Sequence, residues 1–78
     1  MSELVFKTHP LTQDAIVLSV EKGWKNESIL HVQPEDGSMK VWYISTIPFD
    51  KAIDTMGKHV VLFFSAFSVV TNIAIKEN

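Results

Sequence analysis

The run Gly57-Lys58-His59-Val60-Val61-Leu62-Phe63-Phe64-Ser65-Ala66-Phe67-Ser68-Val69-Val70 is apolar at both phases of a two-residue period. Successive strand residues point to opposite faces, so a half-buried strand alternates apolar and polar side chains. Here both faces ask for cover, and a chain of 78 residues has few elements to provide it. The run therefore predicts self-association, as a dimer or a higher homo-oligomer. Trp42, Phe63, Phe64 and Phe67 are the aromatic side chains expected at the contact.

Size pushes the same way. The chain reads as one domain, residues 1–78, and the core of so small a domain seldom supplies more than about 3–5 kcal/mol. Disulfides, a structural metal or oligomerisation are the usual supplements. The chain has no Cys, which removes disulfides and thiolate metal sites together. His9, His31 and His59 show no metal-binding spacing, so no metal is expected. Met1-Ser2-Glu3-Leu4 lacks the basic stretch and apolar core of a secretory leader, so a cytoplasmic protein is expected. Val60 to Ile75 is shorter than the ~20 apolar residues of a membrane helix and is broken by Ser65, Ser68, Thr71 and Asn72. No membrane span is expected.

Charge narrows the function further. The net charge is −2, and the seven basic residues are all Lys, dispersed at 7, 22, 25, 40, 51, 58 and 76. Without Arg the bidentate fork that reads phosphates and guanine is missing, so nucleic acid is an unexpected partner. Catalysis has little to build on. There is no Cys nucleophile, Gly-x-Ser-x-Gly elbow or phosphate loop. Asp50 and Asp54 lie four residues apart near a helix start, where they favour the helix dipole. An enzyme is not expected.

The elements read as strands with one helical interruption. Leu4–Lys7 is a short first strand, ended by His9-Pro10. Ala15–Val20 is a β-branched strand with Ile16, Leu18 and Val20 on one face. Lys22-Gly23 turns into a strand over Asn26–Gln33, with Leu30 and Val32 on one side and Ile29 and His31 on the other. Pro34-Glu35-Asp36-Gly37-Ser38 is the clearest turn, making a hairpin with Met39–Ser45. Trp42 and Tyr43 then point to opposite faces, which places one of them at an edge or interface. Thr46–Gly57 has the grammar of a short helix: Ser45 or Thr46 as cap, Pro48 in the first turn, and Phe49, Ile53 and Met56 as an apolar stripe. Strands over Lys58–Ala66 and Ser68–Lys76 complete a small all-β barrel or barrel-like sheet of five to six strands with one short helical turn.

These segments resemble the molybdate-binding TOBE domain, or molbindin, over Ala15 to Ile73. Ala15-Ile16-Val17-Leu18-Ser19-Val20-Glu21-Lys22-Gly23 is similar to its opening strand and Gly turn, and Ile44 to Ile53 to the passage before its helical turn. Gly57 to Val69 is similar to its Gly-x-x-Val-x-x-x-x-Lys-Ala-Ser-Ser-Val strand. The resemblance implies a five-stranded oligonucleotide-binding-like barrel that pairs with a second copy and binds molybdate or tungstate between subunits. Thr8, Ser45, Thr46, Lys58, Ser65 and Ser68 are the implied oxyanion donors. The chain departs from the family at its cations. Thr8-His9-Pro10-Leu11 stands near the family's Ser-Ala-Arg-Asn, Ser65 replaces its Lys, and Phe67 replaces a small hydroxyl residue. Two readings follow. One is a homo-oligomeric molbindin-like barrel with oxyanion at its interfaces. The other is a related barrel that keeps the assembly, loses the oxyanion, and works as an interaction module. Single-stranded nucleic-acid binding is a third, weaker reading.

Overall fold

The structure, a computed structural model, describes residues 12–65 and 68–76. The expected strand at Leu4–Lys7, the candidate donor Thr8 and the candidate interface residue Phe67 lie outside them. Five strands are present: β1 (Thr12–Lys22), β2 (Ser28–Pro34), β3 (Val41–Ser45), β4 (His59–Phe64) and β5 (Val70–Ile75). A short helix, α1 (Phe49–Ala52), and a 3-10 turn, Ile53–Thr55, separate β3 from β4. The strands close in the order β1-β2-β3-β5-β4. This is the five-stranded Greek-key barrel of the oligonucleotide-binding type, with the helix in its β3–β4 connection.

Alternation along each strand builds the core. Ser28, Leu30, Val32 and Pro34 of β2 are buried, while the residues between them are half-exposed. Ala15, Val17 and Val20 of β1, Val60 and Leu62 of β4, Val70 of β5 and Ala52 of α1 complete the fully buried apolar set. β1 changes phase at a bulge, so Val20 turns inward with Ala15 and Val17 while Leu18 faces out. Ile16, Leu18 and Val20 therefore do not share the one face expected. Val17 pairs with Val32, Leu18 is skipped, and Ser19 pairs with His31. The extra residue bends the strand at the point where the chain leaving the helix crosses it. Gly57 N–H donates to the Val17 carbonyl at 2.7 Å, and Val17 N–H donates to that of Lys58 at 3.1 Å. Gly57 has φ +82° there, a conformation that glycine adopts at no steric cost.

β1–β2, β1–β4, β2–β3 and β4–β5 are full antiparallel ladders. The last side of the barrel is different. β3 and β5 run parallel and share one ladder pair, Ser45↔Val70, extended by the Thr46 N–H to Val70 carbonyl bond at 3.0 Å. Side chains hold the rest of this seam. The Tyr43 ring meets Phe64 edge-on at 4.8 Å between centroids, and its hydroxyl donates to Gln13 Oε1 at 2.8 Å. Burial raises the Tyr43 pKa, so its hydroxyl keeps the proton it donates.

The helix is shorter than the sequence grammar suggests. Pro48 occupies the cap position in an extended conformation with no side-chain cap bond. Ser45 is buried in the barrel end, and its Oγ accepts from Ile47 N–H at 2.9 Å, while Ser28 Oγ donates to the Ile47 carbonyl at 2.7 Å. These two hydroxyls fix the turn into the helix. Phe49 and Ile53 pack on the core as expected. Met56 does not join them. It is already extended (ψ 132°) and exposed, so helical spacing no longer applies to it.

Leu62→Ala removes a fully buried side chain and should cost about 2–5 kcal/mol in urea unfolding. Tyr43→Phe keeps the ring and loses the bond to Gln13, so about 1 kcal/mol is expected. Equal costs for the two variants would contradict a seam held chiefly by ring packing.

Candidate interaction surface

The outside of β2–β3 carries side chains that the barrel does not use. Ladder pairing sets Ile29 opposite Ile44 and His31 opposite Trp42. Trp42 is 57% and Ile44 40% exposed, on a regular strand whose inward residues, Val41 and Tyr43, pack on the core. β3 (Val41–Ser45) contains no charge. On the β1 side, Ser19 pairs with His31 and Glu21 with Ile29. Glu21 Oε2 lies 3.0 Å from His31 Nε2, so the ionisable groups of this face are paired with each other. Leu18, exposed at the bulge, extends the apolar border. Trp24 is still more exposed, but it stands on the β1–β2 loop, held out by the Gly23 N–H to Glu27 carbonyl and Glu27 N–H to Trp24 carbonyl bonds.

The expected interface residues separate. Trp42 is on the outer face. Phe63 is half-buried on the outside of β4, opposite Thr12 and Asn72. Phe64 turns inward onto Tyr43. Ile29, Ile44 and His31 are the surface residues that the sequence reading did not nominate. Their signal was the second apolar phase of β2 and β3.

The oxyanion candidates separate too. Ser45 and Thr46 end β3, and Ser65 and Ser68 flank the β4–β5 connection, so the seam at Val70 gathers these four. Ser45 is buried and its Oγ holds Ile47. Thr46 is exposed. Ser65 N–H donates to the Val69 carbonyl at 2.8 Å and Ser68 N–H to that of Ser65 at 3.2 Å; Ser68 takes φ +64°. Lys58 is elsewhere. It stands before the far end of β4, against Thr55 and Val17. His59 and Phe64, the ends of that strand, are about 17 Å apart at strand rise. Within one copy the seam hydroxyls and this cation form no common shell.

Two shallow depressions lie away from the β2–β3 face. One, of about 420 Å³, is lined by Lys22, Lys25, Asn26, Glu27, Pro48, Phe49 and Asp50. Its lysines lie over aromatic rings, Lys22 over Phe49 and Lys25 over Trp24, and its carboxylates offset them. The other, of about 500 Å³, is lined by Thr12, Gln13, Asp14, Glu35 and Asp36. An ion network crosses that end of the barrel. Lys76 Nζ reaches Asp14 Oδ2 at 3.3 Å and Glu35 Oε1 at 3.2 Å, and His59 Nδ1 lies 2.9 Å from Glu35 Oε2. Hydrogen bonds from His59 and Lys76 hold the Glu35 pKa below its ordinary value, and the bonds to Glu35 and Asp14 raise that of Lys76.

Among the described residues no group of three His, Cys, Asp or Glu could hold a metal ion, and no helix is long and apolar enough to cross a membrane. No protein-family model, curated protein or solved structure matches the chain.

The network gives the barrel a definite pH dependence. Glu35, with its pKa lowered, stabilises the fold above the ordinary value near 4.5 and loses that contribution as pH falls through the folded value. Lys76, with its pKa raised, stabilises below the ordinary value near 10.5 and loses it as pH rises through the folded value. Lys76→Gln should therefore flatten the fall of Tm between about pH 7 and 3 relative to wild type, and the difference should shrink as salt rises to about 0.5 M. Superimposable wild-type and variant profiles at low salt would contradict the network.

Proposed function

We propose that this chain is a small assembly module: a barrel that self-associates into a homo-oligomer and works by holding copies together rather than by catalysis. The observation that carries this reading is the mismatch between its core and its surface. Among the described residues, only Leu30 and Leu62 of the nine buried apolar residues are larger than Val, whereas both Trp side chains are outside, at 73% and 57% exposure. Trp is a preferred anchor of protein interfaces, and burying large side chains from a second copy is the supplement such a core needs. A cytoplasmic location goes with this reading.

The second reading adds an oxyanion, molybdate or tungstate, at the subunit contact. It is favoured by the gathering of Ser45, Thr46, Ser65 and Ser68 around Val70, and by the resemblance to molbindin. Against it stand the engagement of Ser45 Oγ with Ile47 and the distance of Lys58 from the seam. A dianion needs cationic or abundant neutral donors to offset its desolvation.

Sedimentation equilibrium tests the assembly. A mass of at least two 8.8 kDa chains is expected at about 100 µM, a concentration that populates a micromolar complex. A monomer at that concentration would overturn the reading. Calorimetric titration with molybdate, tungstate, sulfate and phosphate separates the two forms of it. Silence with all four keeps the plain assembly module, and molybdate-selective heat establishes the oxyanion site.

A further inference from the structure

We infer that the copies meet through the outer face of β2–β3, packed face to face about a two-fold axis with Trp42 of each copy against Ile29 and Ile44 of the other. This inference rests on the assembly reading and specifies its contact.

Contiguity singles out the face. Trp24 and Met39 are more exposed, but each stands on a loop. Trp42 and Ile44 lie two residues apart on one strand face, with His31 and Ile29 directly across the ladder. The three apolar side chains and His31 form one contiguous quartet on paired strands, a preorganised surface that costs little to dock.

Charge makes the face self-compatible. A two-fold contact sets a patch against itself, so an unpaired charge would meet its own copy. Here β3 brings none, and the ionisable pair, Glu21 and His31, is closed within each copy at 3.0 Å. The more exposed Glu21 stays in water at the rim. The two depressions are denser in charge: Asp14, Glu35 and Asp36 line one, and Lys22, Lys25, Glu27 and Asp50 the other.

Geometry then decides between face and edge. The Thr46 N–H to Val70 bond fixes which peptide groups of β3 point toward β5. By strand alternation these are the groups of Trp42 and Ile44, which β5 meets only at the Ser45 end. Adding a strand there would pair a few amides but leave the Trp42 and Ile44 side chains in water, since side chains project perpendicular to the ladder. Face packing, with two sheets about 10 Å apart, covers both. The quartet is small beside the ~800 Å² per partner of a tight complex, so a micromolar dimer follows.

The test is sedimentation equilibrium of three proteins from about 1 to 100 µM. Wild type and Trp24→Glu should dimerise alike, while a folded Trp42→Glu should remain monomeric, with the dimer Kd raised at least ~100-fold. A dimeric wild type with an equally dimeric Trp42→Glu would overturn the contact while leaving the assembly reading intact; a monomeric wild type would overturn both. Trp24→Phe gives a readout that needs no disruption, because Trp42 is then the sole indole. Its acrylamide quenching should fall at least about two-fold as the dimer forms. Dimerisation with unchanged quenching would place the interface elsewhere.

Discussion

Everything in this barrel depends on how its last side closes. Four sides are antiparallel ladders of several pairs each, but β3 and β5 share a single ladder pair, Ser45↔Val70. Side chains make up the difference. Tyr43 reaches Phe64 and Gln13 across the seam, and Ser28 and Ser45 hold Ile47 so that the chain can turn from β3 into the helix. Since strand alternation is strict, committing Tyr43 to the inside commits Trp42 and Ile44 to the outside. The exposed apolar face is thus a consequence of closure.

Closure also engages two of the hydroxyls at the barrel end. Ser45 and Ser28 are buried polar groups, and a buried hydroxyl left unpaired would cost about 1–3 kcal/mol. Their bonds to Ile47 remove that cost. An oxyanion recruiting Ser45 Oγ would have to compete with the turn it secures. No comparable demand falls on the outer face, where Trp42 and Ile44 make no polar contact and can be covered without breaking anything.

Much of this fold is legible in the sequence, and particular residues show where legibility stops. The alternation Leu30/Val32 against Ile29/His31 and the Pro34–Ser38 turn appear where the pattern puts them. The opposite directions of Trp42 and Tyr43 followed from strand period alone. The helix did not: Ser45, read as a cap, was taken by the barrel interior, and the stripe to Met56 ended when the helix ended. The oxyanion set was drawn from a linear resemblance, which cannot tell that Lys58 lies at the far end of β4 from the seam. Ile29 and Ile44 were missed because register links them. The connection from Glu35 to Lys40 is too long to fix that register as a two-residue hairpin turn would. The bulge at Leu18, likewise, has no local sequence mark. The two-faced apolar run that suggests an oligomer includes β4, while the largest exposed apolar side chain on a described strand face, Trp42, is on β3.

The central claim is that the outer face of β2–β3 is the surface this protein uses. Concentration-dependent amide shifts of the uniformly labelled wild-type chain test it most directly, since they need no substitution and no guess about a ligand. Between about 10 µM and 1 mM, the amides of Ile29, His31, Trp42 and Ile44 should move together along one binding curve, while those of Asp14, Glu35 and Lys76 at the ion network stay fixed. Shifts confined to other parts of the barrel, or spectra that do not change with concentration, would contradict the account.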